Sequence, residues 1–225
     1  MVSGGREFAD RSDAGRKLAE ALQRFAGSTP LVLALPRGGV PVAFEVARAL
    51  GAELDVILVR KLGAPDHPEY GIGAVVDGDD PQLVLNEEAL ALVRPSPEYI
   101  AAEQRRELAE IERRRRLYLG DRGPVPVKGR TVIVVDDGIA TGGTVRAALK
   151  ALRKAGAGHV VLAIPVAPAD TIDRLAGDTD EIVCLATPER FHAVGLHYDD
   201  FTQTSDEEVV RLLAEARGFA REKAG

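Results

Sequence analysis

Val132-Ile133-Val134-Val135-Asp136-Asp137-Gly138-Ile139-Ala140-Thr141-Gly142-Gly143-Thr144 runs from a β-branched apolar stretch into two adjacent carboxylates and then into a loop of small residues. Val145, Ala148, Leu149 and Leu152 follow at helical spacing. That order predicts a strand, an acidic tip, a loop and a helix N-terminus. The glycines of the loop let backbone N–H groups close on an anion, and the helix start adds unpaired donors and the positive end of its dipole. The same strand-then-helix pattern recurs outward along the chain. Leu31–Leu35 leads through Pro36-Arg37-Gly38-Gly39 into a helix with Val42, Ala43, Val46 and Leu50, and Leu54–Val59, Val160–Ile164 and Ile182–Leu185 are further apolar runs. Such alternation predicts an α/β fold with a mostly parallel sheet.

The carboxylates narrow the ligand. Beside a bare phosphate Asp136 and Asp137 would repel it, so they must face another part of the same molecule. A carboxylate only accepts hydrogen bonds, and a ribose 2′,3′-diol supplies donors. The loop has no Lys where a Walker A motif needs one, and Gly138-x-x-x-Gly142-Gly143 does not fit the dinucleotide fingerprint. A sugar 5-phosphate with a free diol satisfies both halves of the segment. The segment resembles the 5-phosphoribosyl-1-pyrophosphate (PRPP) signature of type I phosphoribosyltransferases.

Composition restricts the remaining classes. The chain has 225 residues, 45% hydrophobic and 28% charged, an ordinary globular balance long enough for one sizeable domain with insertions. A net charge of −6 argues against a general nucleic-acid or membrane-surface binder. Cys184 is the single cysteine, which excludes an intramolecular disulfide and suits a reducing cytosol; its apolar neighbours predict a buried structural thiol. No apolar run approaches the roughly 18 residues of a membrane span, and Met1 to Glu7 lacks a signal-peptide core. The expectation is a cytoplasmic protein.

Asp13 is expected to cap a first helix with Leu18, Ala21, Leu22 and Phe25 on its apolar face and Gly27 as its stop. Two regions interrupt the alternation. The stretch from Gly63 to Leu85 reads as a loop leading into a hairpin, Gly73–Val76 and Leu83–Leu85 about an Asp77–Pro81 turn. Ser96-Pro97 then opens a long charged helix to about Leu119, whose sparse apolar positions (Tyr99, Ile100, Leu108, Ile111, Leu117) dock one face and leave the rest to solvent or a partner subunit. Arg113 to Arg116 lie near its C-terminus with Glu107, Glu110 and Glu112 in pairing distance, which predicts a solvated charged surface. Ser205-x-x-Glu208 is a capping box opening a last amphipathic helix.

The resemblance extends to two further turns. Arg37-Gly38-Gly39 looks like the family's pyrophosphate-binding turn, and Arg60-Lys61 looks like the basic element before its mobile active-site loop, here Leu62 to Gly73. It implies a five-stranded parallel sheet flanked by helices and a small hood that selects the nucleophile. One phosphoribosyltransferase-like domain is expected over 1–225, with 63–120 inserted and 186–225 forming the hood and C-terminal helix. The implied substrate contacts are Arg37, Gly38, Gly39, Arg60 and Gly138, Ile139, Ala140, Thr141, Gly142, Gly143 and Thr144. Asp136, Asp137 and Lys61 carry the implied chemistry. Mg2+ would arrive with PRPP, with no direct protein ligand and at most a water-mediated contact to Asp136. The implied activity is transfer of phosphoribosyl from PRPP to a nitrogenous acceptor, and the alternative is a PRPP-sensing regulator without turnover. Phe191, His192 and Tyr198 are the candidate acceptor contacts, His67 a solvated loop residue, His159 structural, and His192 with His197 a packing or hood element rather than a metal site. A homo-oligomer is compatible with this reading, and nucleic acid is disfavoured.

Overall fold

Runs that are apolar without alternation are the mark of strands covered on both faces, and those runs form the strands of one parallel sheet. A computed structural model describes residues 6–78 and 80–219. Residues 1–5 of the stretch read for a leader, Asp79 of the predicted turn, and 220–225 of the hood segment lie outside the described residues. The first half contains α1 (Arg11–Ala21), β1 (Leu31–Ala34), α2 (Gly39–Leu50), β2 (Glu53–Val56), β3 (Val59–Ala64), β4 (His67–Val76), β5 (Gln82–Leu85), α3 (Glu87–Val93) and α4 (Pro97–Leu119). The second half contains β6 (Thr131–Val135), α5 (Gly143–Lys154), β7 (His159–Val166), α6 (Ala169–Leu175), β8 (Glu181–Ala186) and α7 (Asp206–Glu215).

The main sheet is five-stranded and parallel, in the order β2-β1-β6-β7-β8. Side chains alternate across it: Val32, Ala34, Ile133 and Val135 face a core shared with α1, α2 and α7, and Leu31, Leu33, Val132 and Val134 face α5. The chain leaves β1 toward β2 and returns to the other side of β1 as β6. The carboxyl ends of β1 and β6 therefore flank a reversal in strand order, where open α/β sheets hold their ligands.

Four expectations change. The run Leu54–Val59 is not one strand: β2 stops at Val56, and Val59 already belongs to a second, three-stranded antiparallel sheet, β3-β4-β5. Arg60-Lys61 thus lies inside β3 rather than at the end of a core strand. The expected loop Leu62–Gly73 is a hairpin, its register shifting at Leu62 to Ala64, so the departure from the main sheet starts before residue 63. Asp10 rather than Asp13 caps α1, accepting from the Asp13 N–H at 2.7 Å, and the Asp13 carboxylate reaches back to the Ala9 N–H. Last, Arg115 is buried, not solvated: it donates to Asp55 of β2 and to Asp77, each at 2.7 Å.

Other readings hold. The long helix starts on a Ser96 cap and runs to Leu119, and Ser205 caps α7 through the Glu208 N–H. Cys184, expected to be buried, is only half-buried in β8, and that burial pushes its thiol up. No helix among the described residues is long and apolar enough to cross a membrane.

Candidate active site

Strand β6 delivers Asp136 and Asp137 to the reversal point, beside the turn that follows β1. The Leu35 N–H donates to the Val135 carbonyl at 2.9 Å, which fixes the two segments in register. The Pro36–Arg37 peptide is cis. Gly38 and Gly39 then pass against the acidic tip so closely that side chains would not fit. A Cβ on Gly38 would overlap the Asp137 carboxylate, and one on Gly39 would lie 2.7 Å from the Val135 carbonyl oxygen.

Beyond the tip the chain turns at Gly138, with φ of 150°, and at Gly142, with φ of 78°. Both values belong to glycine rather than to a side-chain-bearing residue. The loop between them is tied down at both sides: the Ile139 N–H donates to the Val166 carbonyl at 2.9 Å, and the Thr171 hydroxyl to the Ala140 carbonyl at 2.8 Å. Gly142 is the N-cap of α5, so the first N–H groups of that helix have no helical partner. Thr141, Gly143 and Thr144 remain exposed there. A loop of this form can receive an anion, with the dipole of α5 behind it.

The two acids differ in their surroundings. Asp137 accepts from Arg11 Nε at 2.7 Å, and its backbone carbonyl accepts from the Tyr198 hydroxyl. Asp136 accepts from the Asp137 N–H at 2.9 Å and makes no ion pair among the described residues. Burial raises the pKa of both carboxyls; the charge of Asp137 adds to the rise at Asp136, and Arg11 opposes it at Asp137.

A cleft of about 610 Å3 opens between α5 and the second sheet, with Thr141, Gly143 and Thr144 on one wall and Lys61 with Gly71 and Gly73 on the other. Lys61 is half-exposed and donates to the Glu69 carbonyl at 2.8 Å. The Arg37 guanidinium points toward α7, 3.7 Å from the Asp206 carboxylate. Arg60 is not brought to the cleft: its Nε donates to the buried Glu107 of α4 at 2.7 Å. The structure thus brings together the acidic tip, the loop and the Gly38-Gly39 turn, leaves the Arg37 guanidinium beside Asp206, sets Lys61 across the cleft, and turns Arg60 away.

The hood aromatics are more committed than expected. Tyr198 is fully buried against Phe8 and Phe201, so it cannot stack on a base. Phe191 lies flat on the His197 ring at 5.4 Å, and His197 Nδ1 is 3.0 Å from a Glu7 carboxylate oxygen. His192 alone among the three candidate contacts is exposed. Arg11 was not singled out from the sequence, where it is one of many arginines. Its one signal is position: a cation at the first residue of a helix opposes the dipole.

Residues 9–199 match the family model described as the phosphoribosyl transferase domain. The match takes in Arg37-Gly38-Gly39, Arg60-Lys61 and the segment from Val132 to Thr144, the three stretches that carried the resemblance. A Mycobacterium tuberculosis protein provisionally named a phosphoribosyl transferase is 50% identical over 214 residues, which are 95% of this chain and 48% of the relative. The chain therefore spans about half the length of that relative. A crystal structure of a Thermus thermophilus protein superposes with a TM-score of 0.79 at 45% identity, covering 93% of this chain and 98% of the other.

Proposed function

We propose, for a chain that belongs to the phosphoribosyl transferase family, that it transfers 5-phosphoribosyl from PRPP to a nitrogenous acceptor with release of pyrophosphate. The observation that supports this reading is the placement of the acidic tip and the anion loop side by side at the strand-order reversal. The loop Gly138–Thr144 takes the 5-phosphate, and the acidic tip takes the ribose hydroxyls. Arg37 and the Gly38-Gly39 turn receive the pyrophosphate, and Lys61 adds charge from across the cleft. Arg60, held by Glu107, has no part in this assignment.

The chemistry is displacement at C1 of the ribose. The bond to pyrophosphate breaks as the bond to the acceptor nitrogen forms, the electron pair leaves with pyrophosphate, and positive charge develops on the ring. The carboxylates of the tip stabilise that charge, an electrostatic contribution that is often the largest in catalysis. Arg37 offsets the charge growing on the leaving group. Mg2+ brought in with PRPP would neutralise the pyrophosphate, with Asp136 reaching it at most through a water. The setting would be cytoplasmic.

One observation favours a second reading, a PRPP-binding regulator without turnover: the hood rings that could cradle a base are largely spent on packing. Calorimetric titration with Mg–PRPP, followed by pyrophosphate release against purines, pyrimidines, orotate and nicotinate, separates the two. Binding with turnover supports the transferase, and binding without turnover supports the regulator. No binding by the wild type, or unchanged binding by Asp136→Asn, sinks both.

A further inference from the structure

Arg11 is the first residue of α1, where the helix dipole disfavours a cation. Its guanidinium is nevertheless held from three sides. Nε donates to Asp137 at 2.7 Å, Nη1 donates to the Thr202 carbonyl at 2.7 Å, and the group lies 3.9 Å over the Phe201 ring. Only 11% of the side chain is exposed, against 15% for that of Asp137. Three segments meet on this group: the start of α1, the acidic tip, and the stretch after Tyr198. A guanidinium fixed in this way is not a swinging arm.

Its partner is fixed as firmly. The Asp137 carboxylate fills the place a Gly38 side chain would need, with Arg11 Nε also beside that place, and the Asp137 carbonyl is held by Tyr198. Asp136 makes no ion pair among the described residues; it accepts from its neighbour's N–H, bonds the Asp137 carboxyl, and sets its Oδ1 3.4 Å from where a Gly39 Cβ would be. A carboxylate engaged by a guanidinium and wedged against a turn is poorly placed to re-aim at sugar hydroxyls. The one beside it, with no ion pair and a looser approach to the turn, is the better placed.

Building on the phosphoribosyl reading, we infer that Arg11 is a positioning residue that holds Asp137 as a wall of the site and leaves Asp136 as the carboxylate that takes the sugar hydroxyls. Arg11 then acts through Asp137 and touches no substrate. It also links the hood to the acidic tip through Thr202.

The test is a mutant cycle read with two probes, inorganic phosphate and ribose 5-phosphate, by calorimetry, with thermal unfolding midpoints recorded for each protein. Phosphate reports the loop alone, whereas ribose 5-phosphate also reports the tip. Arg11→Met is expected to keep wild-type phosphate affinity and to lower ribose 5-phosphate affinity roughly tenfold, the scale of one charge-assisted hydrogen bond. Asp137→Asn should lower it similarly, the double variant no further, and Arg11→Lys should recover most of the loss. Asp136→Asn should multiply with Arg11→Met. Unchanged ribose 5-phosphate affinity in Arg11→Met would overturn the inference. So would multiplying losses for Arg11 and Asp137, which would put Asp137 on the ligand directly, or parallel loss of phosphate binding, which would make Arg11 a general support. A wild type that binds neither probe would instead remove the phosphoribosyl reading on which the inference rests.

Discussion

Gly39 shows how one residue is dictated by a strand far along the chain. Its helix begins beside β6, and the Val135 carbonyl oxygen stands 2.7 Å from where a Cβ would be, with the Asp136 Cα at 3.0 Å. Both neighbours are backbone, so neither can swing aside. Gly39→Ala should therefore cost about 1–3 kcal/mol, the range for forcing an extra carbon into a packed site. Gly123→Ala, where nothing lies within 4 Å, is the comparison and should be near neutral. Urea unfolding midpoints of the two variants measure this, and equal effects would mean the turn is looser than described. The sequence places these glycines after a strand, but a Gly-Gly pair in any tight turn looks the same. What requires them here is the acidic tip, which no local pattern connects to residue 39.

At the scale of elements, α4 docks by a stripe that is largely polar. Glu107, Ile111, Arg115, Tyr118 and Leu119 are its buried residues, spaced as a helix face should be, yet two are charged. That is why the sequence exposes the length and caps of this helix but hides its seat: an apolar-periodicity search passes over Glu107 and Arg115. Removing a buried partner leaves an unpaired charge, so Arg115→Met should cost about 3–5 kcal/mol. Arg114→Met, which gives up only a partly exposed pair with Glu110, should cost under about 1 kcal/mol. Asp77 adds a pH signature. Burial pushes its carboxyl up to about 6 from 3.8, against the lowering charge of Arg115. The folded chain then binds this proton more readily than the unfolded chain, so the contribution of Asp77 is full below about pH 3.8 and is lost as pH rises through about 6. Over that interval the stability difference between wild type and Asp77→Asn should fall by on the order of 2–3 kcal/mol. Denaturant titrations at stepped pH would read it, and a difference that grows with pH would mean that Arg115 outweighs burial.

Across the whole molecule, the two sheets differ in legibility, and the cleft lies between α5 and the second of them. The five-stranded sheet is readable because its central strands are apolar on both faces, as at Leu31–Ala34 and Val160–Val166, where every residue is buried. The second sheet is not. Its β3–β4 hairpin is rich in glycine and charge, and His67 to Tyr70 are exposed at the tip, so it shows no apolar alternation and resembles a loop. The consequence falls on Arg60-Lys61. Successive side chains of a strand point to opposite faces, so one residue of the pair goes to α4 and the other to the cleft. Arg60 pairs with Glu107, whose side chain is 6% exposed, and Lys61 lines the cleft with Thr141, Gly143 and Thr144. Arg60→Ala should therefore lower stability by about 1–2 kcal/mol, since Glu107 keeps only Arg106, and leave PRPP affinity close to that of the wild type. Lys61→Ala should do the reverse: unfolding unchanged within about 0.5 kcal/mol and PRPP affinity reduced roughly five- to tenfold by the loss of a cation across the cleft from the phosphate loop. Thermal melts and calorimetry on the two variants form the test. If Arg60→Ala weakens the ligand while Lys61→Ala weakens the fold, β3 presents its faces the other way round, and Arg60 is the cation it turns to the cleft.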